Sequence, residues 1–433
     1  MILTVEPADS GLQGEVTPPG DKSMSHRALI FSSLATGQSE LSGLLECEDT
    51  LVTLKACQLL GAGVDRSFGK IYITGTGGVL KSPPGGYLDM GNSGTAMRLL
   101  AGILSGQDFD CTLSGDKSLN SRPMQRIVAP LTLMGADITT SETGTAPLLI
   151  LACRGLHSIE YVSPVASAQI KSCVLLAGLM ACGTTRLLES RLSRDHTERM
   201  LPLFGVDLPT PCSVIGGSKL KAARFAVPGD ISSAVFSLAA AAMTPGSDVT
   251  LRRVGLNPTR TGFFRCLEAM GADIRIFNKT DQCTEALGDI RLVFSPGLKA
   301  VDVPESLVPD MIDELPLLMV LAVTALGTTR IRGAAELRVK ESDRLAVMAA
   351  GLRKLGVDLK EYPDGMDITG GTVSGGRVES AGDHRCAMSF AVLGLVASTG
   401  VQIQDAEFIA TSYPGFYSDM GRLGANFRVG ELT

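Results

Sequence analysis

Six times along this chain of 433 residues, a helix-like apolar stretch ends in Leu-Gly-Ala or a close variant and gives way to a short alternating segment. The glycines of these marks are Gly61, Gly135, Gly205, Gly271, Gly356 and Gly424, at intervals of 74, 70, 66, 85 and 68 residues. A unit near 70 residues is a subdomain in itself, so six copies account for almost the whole chain without forming a thin solenoid. A second mark runs in step with the first. Gly37, Gly106, Gly183, Gly246, Gly327 and Gly400 each follow an apolar helical stretch and precede a strand-like one. Glycine just past a helix accepts the left-handed conformation that stops it, and all six are expected to act this way. The stretches before them run about 13–16 residues and are apolar on most faces, which predicts helices buried between sheets. The chain therefore reads as α/β.

Composition narrows the function classes. Apolar residues make up 45% and charged residues 19%, which excludes a disordered chain. At about 150 residues per domain, the length suggests two or three domains. The longest apolar runs, Leu315–Leu326 and Ala234–Met243, fall short of the roughly 20 residues a spanning helix needs, so no membrane partner is expected. MILTVEPADSG has neither a basic n-region nor an apolar h-region, and a cytoplasmic location is expected. A net charge of −6 leaves no footprint for nucleic acid, so any bound anion must be gripped locally. Ten cysteines without a C-x-x-C pair are ordinary for a reducing compartment. His26, His157, His196 and His384 show no zinc-ligand spacing, so no metal is expected.

Polar residues recur in phase with the repeat. Lys22, Asn92, Gln169, Asp230, Asp313 and Arg385 each precede the second glycine mark by 14 to 16 residues, near the start of a predicted buried helix. Shorter helices open with similar groups: Arg122 in NSRPMQR, Arg194 and Asp195 in SRDHTER, and Lys340, Glu341 and Arg344 in RVKESDR. Helix N-termini carry free N–H groups and partial positive charge. If the repeats pack quasi-symmetrically, these ends would converge on one cleft, which Lys22, Arg27, Arg122, Lys340, Arg344 and Arg385 would make cationic. Such a site suits small substrates with several phosphate or carboxylate groups. Each element also has a plain reading. Ser23, Asn92 and Asp313 could be N-caps, and Gly91–Gly94 a simple turn. Lys340–Arg344 could be a solvated helical face and Asp383–Arg385 a surface loop. His26 and His196 read as structural.

The blocks PPGDKSMSHRAL, GNSGTAMRLL, NSRPM, ASAQIKS, SRDHTERML, MIDELPLL, RVKESDRL and DHRCAMSF resemble the enolpyruvyl transferase family, specifically its 5-enolpyruvylshikimate-3-phosphate (EPSP) synthase branch, over essentially the full length. The resemblance implies a two-domain inside-out α/β barrel of six βαβαββ repeats, three per domain, with buried helices. Residues 21–228 would form one domain, and residues 1–20 with 229–433 the other, with hinges near Gly20–Lys22 and Pro228–Asp230. It implies transfer of the enolpyruvyl group of phosphoenolpyruvate to the 5-hydroxyl of 3-phosphoshikimate, a shikimate-pathway step toward chorismate, with no cofactor or metal. Lys22, Ser23, Arg27, Ser167, Gln169, Arg194, Asp313 and Lys340 would contact 3-phosphoshikimate. Lys22, Asn92, Gly94, Arg122, Gln169, Arg344 and Arg385 would surround phosphoenolpyruvate. Asp313 would be the base at the 5-hydroxyl, in preference to Asp310, and Glu341 and Lys22 are the candidates for proton exchange at C3. A monomer is expected.

The chain departs from many members at Ala168, Glu336 and Thr411, where a serine, an asparagine and a lysine can stand. Tolerant members can carry alanine where this chain has Gly94, which implies room here for the inhibitor glyphosate. Two rival readings remain. The sister transferase acting on UDP-N-acetylglucosamine relies on a loop cysteine, for which Cys111 is the available position, although a core strand cysteine fits DFDCTLSG better. A non-catalytic anion-binding scaffold would not require Asp313 and Glu341 among so many cations.

Overall fold

The computed structural model describes residues 1–153, 155–282 and 285–430 and divides into two compact units. One comprises residues 20–227 with 282–285, the other residues 1–19, 228–281 and 286–433. Each has its own apolar core.

Three helices run through the core of each unit. In the 20–227 unit they are Lys22–Leu34, Gly94–Leu104 and Ala168–Met180, and in the other Ile231–Met243, Leu315–Thr324 and His384–Gly394. Three are 13 residues long, within the expected range, and the other three are shorter, at 10 or 11. Every residue of Ile231–Met243 is buried, as is all but the last of Leu315–Thr324. A helix apolar on all sides must be buried among other elements, and these are. Close packing needs small residues at the contacts. A Cβ on Gly102 would lie 2.3 Å from the Cys173 carbonyl oxygen, so only glycine lets the second and third helices of the 20–227 unit meet.

The sheets share one strand order. In Tyr87–Asp89, Cys111–Ser114, Leu148–Ile150 and Ile138–Thr139, the first pair is parallel across the buried helix and the later pairs are antiparallel. Arg224–Ala226, Gln38–Ser42, Lys70–Thr74 and Gly63–Ser67 repeat it, with the first strand supplied from the far end of the unit. The other unit closes in the same way through the N-terminus. Gln13–Val16 pairs in parallel with Asp248–Gly255, and Ile2–Val5 lies antiparallel between Val401–Gln404 and Phe427–Gly430.

The first glycine mark behaves as one motif six times. Gly61, Gly135, Gly205, Gly271, Gly356 and Gly424 all have positive φ, between 76° and 110°. Each donates its N–H to the carbonyl three residues back, and the following apolar residue donates to the carbonyl five back, as Gly61 does to Gln58 and Ala62 to Cys57. This double closure satisfies the last carbonyls of the helix.

The second mark is mixed. Gly37, Gly183, Gly246 and Gly327 are left-handed, but each sits two residues beyond an extended C-cap (Ala35, Ala181, Thr244 and Ala325), so it turns the chain into the strand rather than ending the helix. Gly106 and Gly400 depart from the expectation. Their helices stop at Leu104 and Gly394 with right-handed caps, and extra residues lead into the strands. Gly106 is there for space instead: its Cβ would lie 2.7 Å from that of Met180.

Candidate active site

All six phased polar residues lie within two residues of the start of a buried helix. Ser23, Asn92 and Asp313 are not the caps. Asp21 accepts from Met24 N at 2.8 Å, Ser93 accepts from Ala96 N at 3.2 Å, and Glu314 holds the cap position before Leu315. Asp21 and Ser93 do the capping beside Lys22 and Asn92, whereas Asp230 caps its own helix, accepting from Ser232 N at 2.9 Å.

In the 20–227 unit, the three helix starts are joined by side-chain hydrogen bonds. Arg27 is buried and donates from Nε to Thr197 Oγ1 at 2.7 Å, from Nη1 to the Ser23 carbonyl at 2.9 Å and from Nη2 to Ser172 Oγ at 2.6 Å. Arg98 Nη1 donates to Gln169 Oε1 at 2.6 Å, and Gln169 Nε2 to Thr95 Oγ1 at 3.0 Å. Arg122 Nη2 donates to Asn92 Oδ1, whose Nδ2 donates to Asp116 at 2.7 Å. Gly94 lies beneath both guanidinium groups: a Cβ there would be 2.9 Å from Arg98 Nη1 and 3.2 Å from Arg122 Nη1. Lys22 Nζ lies 2.5 Å from Asp49 Oδ2. Ser167 precedes the third helix, and Arg194 lies half-buried just before the short helix His196–Met200 that carries Thr197.

His26 and His196 take structural positions. The His26 ring is fully buried with Nδ1 2.7 Å from Thr53 Oγ1. Burial first, then the charges of Lys22 and Arg27, hold its pKa well below the usual histidine value. His196 Nδ1 lies 2.9 Å from Glu285 Oε1.

In the other unit, the starts of Leu315–Thr324 and His384–Gly394 meet around Arg344. Its side chain is 1% exposed and reaches three carboxylates: Asp383 through Nε at 2.7 Å, Asp313 through Nη1 at 3.1 Å and Glu341 through Nη2 at 2.5 Å. Burial alone would weaken the guanidinium, but Asp383, Glu341 and Asp313 outweigh it and hold its pKa well above the usual value. Burial likewise pushes the Asp383 carboxyl up, and Arg344 outweighs this to keep it below the usual range. Asp383 also caps its own helix, accepting from Arg385 N at 2.9 Å. Segment 340–344 is therefore no solvated face, nor is 383–385 a surface loop. Lys340 Nζ lies 3.6 Å from Asp313 Oδ1, and Arg385 Nη1 donates to the Asp313 carbonyl at 3.2 Å. Asp310 lies 4.0 Å from Arg265 instead. Glu314, deeply buried, accepts from Ser232 Oγ and lies 3.6 Å from Arg260 and 3.7 Å from Arg385.

Hydrogen bonds and ion pairs thus link Asn92 with Arg122 in the 20–227 unit, and Asp313, Lys340, Glu341, Arg344 and Arg385 in the other. Arg98, Lys171, Arg260 and Glu314 are participants that the sequence analysis missed. For Arg98 and Lys171 a signal was present, because both are lone charges inside apolar helices (GTAMRLLAGIL and AQIKSCVLLAGLM).

The family model for EPSP synthase (3-phosphoshikimate 1-carboxyvinyltransferase) matches residues 7–420. The chain belongs to the EPSP synthase family. A 3-phosphoshikimate 1-carboxyvinyltransferase of Xanthomonas oryzae pv. oryzae is 50% identical over 422 residues, covering 96% of this chain and 95% of that one. The relative of that name from Xanthomonas campestris pv. campestris is 51% identical over 413 residues, covering 94% of each. An EPSP synthase structure from Acinetobacter baumannii superposes with a TM-score of 0.88 at 45% identity, over 99% of this chain and all of that one. Among positions where this chain departs from many EPSP synthases, Ala168 opens the third helix, and Thr411 Oγ1 donates to the Phe408 carbonyl at 2.7 Å. Cys111 lies in a strand facing Ile150, and burial pushes its thiol up to about 12, which does not fit a loop cysteine acting as an acid.

Proposed function

We propose that this chain is a transferase that moves the 1-carboxyvinyl group of phosphoenolpyruvate to the 5-hydroxyl of 3-phosphoshikimate and releases phosphate, in the shikimate pathway toward chorismate and the aromatic amino acids. The observation that carries the mechanism is Arg344 locked between Asp313, Glu341 and Asp383. A buried guanidinium orients the Asp313 carboxylate beside it, as a base for a secondary alcohol requires, while Glu341 would carry the proton it exchanges with C3.

In the first step, Asp313 takes the proton of the 5-hydroxyl as its oxygen bonds to C2 of phosphoenolpyruvate, while C3 gains a proton. In the second, the tetrahedral adduct loses phosphate from C2 and a proton from C3, which leaves the enol ether. We assign the C3 proton exchange to Glu341, whose side chain is 26% exposed and paired with Arg344, with Lys22 as the alternative. Ser23, Arg27, Ser167, Gln169, Arg194, Asp313 and Lys340, with Lys22, bind 3-phosphoshikimate. Asn92, Gly94, Arg122, Gln169, Arg344 and Arg385, with Lys22, surround phosphoenolpyruvate. Fixed positive charge of this density stabilises the adduct and the departing phosphate.

The shared strand order of the sheets and the sixfold helix-ending motif support a two-domain inside-out barrel of six βαβαββ repeats. The nine cysteines among the described residues are free, which supports a reducing, cytoplasmic setting, and we take the working form as a monomer. No helix among the described residues is long and apolar enough to cross a membrane.

Phosphate release should require both substrates, and omitting 3-phosphoshikimate should abolish it. Asp313→Ala should lower kcat about 10²–10⁴-fold with substrate binding changed only a few-fold. Turnover surviving within a few-fold would remove Asp313 as the base.

A further inference from the structure

Lys171 lies inside the third buried helix of the 20–227 unit, and its ammonium is fully shielded from solvent. Nζ is 2.8 Å from Glu198 Oε1, 3.1 Å from Glu189 Oε2 and 3.2 Å from the Ser193 carbonyl oxygen. Glu189 completes a hold on the same serine: it accepts from Ser193 N at 3.2 Å and from Ser193 Oγ at 2.6 Å. Every polar atom of Ser193 is thus fixed by this buried ion cluster, and the next residue is Arg194. Glu198 belongs to the short helix His196–Met200, which presents Thr197 to Arg27 Nε at 2.7 Å and to Ser172 Oγ at 2.7 Å. Ser172, next to Lys171 on its helix, accepts from Arg27 Nη2. One side chain is therefore tied to the backbone before Arg194 and to the element that aims Arg27.

A buried ion cluster is weak evidence of stabilisation, because desolvation cancels much of its attraction. Its geometry here is spent on fixing the segment 193–198. We propose that Lys171, with Glu189, is a positioning residue for 3-phosphoshikimate: it sets the segment that places Arg194 and, through Thr197, orients Arg27. The inference rests on the functional reading above and concerns that substrate alone. Lys171 itself touches no substrate. It acts through two arginines that must meet a dianionic phosphate and a carboxylate in fixed positions, where small displacements are costly.

The test is steady-state kinetics of phosphate release, with titration calorimetry of 3-phosphoshikimate, on wild type, Lys171→Met, Lys171→Arg and Glu189→Gln. Lys171→Met should raise KM and Kd for 3-phosphoshikimate about tenfold or more, with KM for phosphoenolpyruvate within about twofold. Lys171→Arg, which keeps the charge and can still donate, should recover most of the loss. Glu189→Gln preserves shape and should shift the same substrate in the same direction, so the proposal stays testable if the methionine variant fails to fold. Equal movement of both KM values, or a loss of thermal stability with neither KM changed, would overturn it. A wild-type protein that releases no phosphate with both substrates would instead refute the functional reading.

Discussion

The hydrogen bonds described for Arg27, Arg98 and Arg122 differ in kind from those of Arg344. In the 20–227 unit, Arg27, Arg98 and Arg122 donate to hydroxyls, amide oxygens and a backbone carbonyl. In the other unit, Arg344 donates to three carboxylates. A guanidinium aimed by neutral oxygens is fixed in direction with little change to their chemistry, which suits the gripping of an anion. A guanidinium aimed by carboxylates sets their charge state as well, which suits proton transfer. The units share a pattern of buried helices and strands, so the difference teaches that similar helix ends have been given separate work through the side chains that brace them.

This contrast can be broken by substitution, most forcefully at Arg344. Arg344→Met leaves three carboxylates without their shared cation in a buried setting and should cost about 3–5 kcal/mol of stability, together with nearly all activity. Denaturant unfolding measures this, and a cost below 1 kcal/mol would mean the cluster is not the tight ionic unit described. A smaller effect is expected at Gly94. A methyl group there must push Arg98 and Arg122 by a few tenths of an ångström, because it would sit 2.9 and 3.2 Å from their Nη1 atoms. Gly94→Ala should raise KM for phosphoenolpyruvate about tenfold, which corresponds to about 1.4 kcal/mol, and weaken glyphosate inhibition further. Wild-type protein strongly active at millimolar glyphosate would contradict the room inferred at Gly94.

A further test in the 20–227 unit concerns the burial of His26, to which the charges of Lys22 and Arg27 add. Its folded pKa is depressed by burial and by Lys22 and Arg27, so below about pH 6.5 the unfolded chain takes up a proton that the folded chain refuses. Stability from this group is complete above that pH and falls by about 1.4 kcal/mol per unit as pH drops toward the folded value. His26→Asn should flatten urea-derived stability between pH 5 and 6.5. An unchanged slope would show that His26 is not held neutral.

What could be read from the sequence follows the locality of the interactions. The six helix endings around Gly61 and its counterparts depend on a few adjacent residues and a left-handed glycine, so they were legible. Gly106 and Gly400 misled because a glycine after a helix can serve packing as well as chain reversal, and the distinction lies in Met180, 74 residues away, or in extra turns before the strand. Lys22, Asn92, Gln169, Asp313 and Arg385 stood out by their phase, and Arg344 and Glu341 by their charge density. Lys171 showed as a lone charge in an apolar helix, but its partners Glu189 and Glu198, like the pairing of Arg260 with Glu314, are set only by the tertiary fold.

The placement of Ile2–Val5 between Val401–Gln404 and Phe427–Gly430 has a consequence for the chain as it leaves the ribosome. Ile2–Val5 is made about 400 residues ahead of either strand it pairs with. At about 5–20 residues per second, that is a wait on the order of tens of seconds. The 20–227 unit lies almost wholly within one continuous segment and can condense during that interval, whereas its companion must keep an apolar ribbon in reserve until Val401–Gln404 and Phe427–Gly430 have been made.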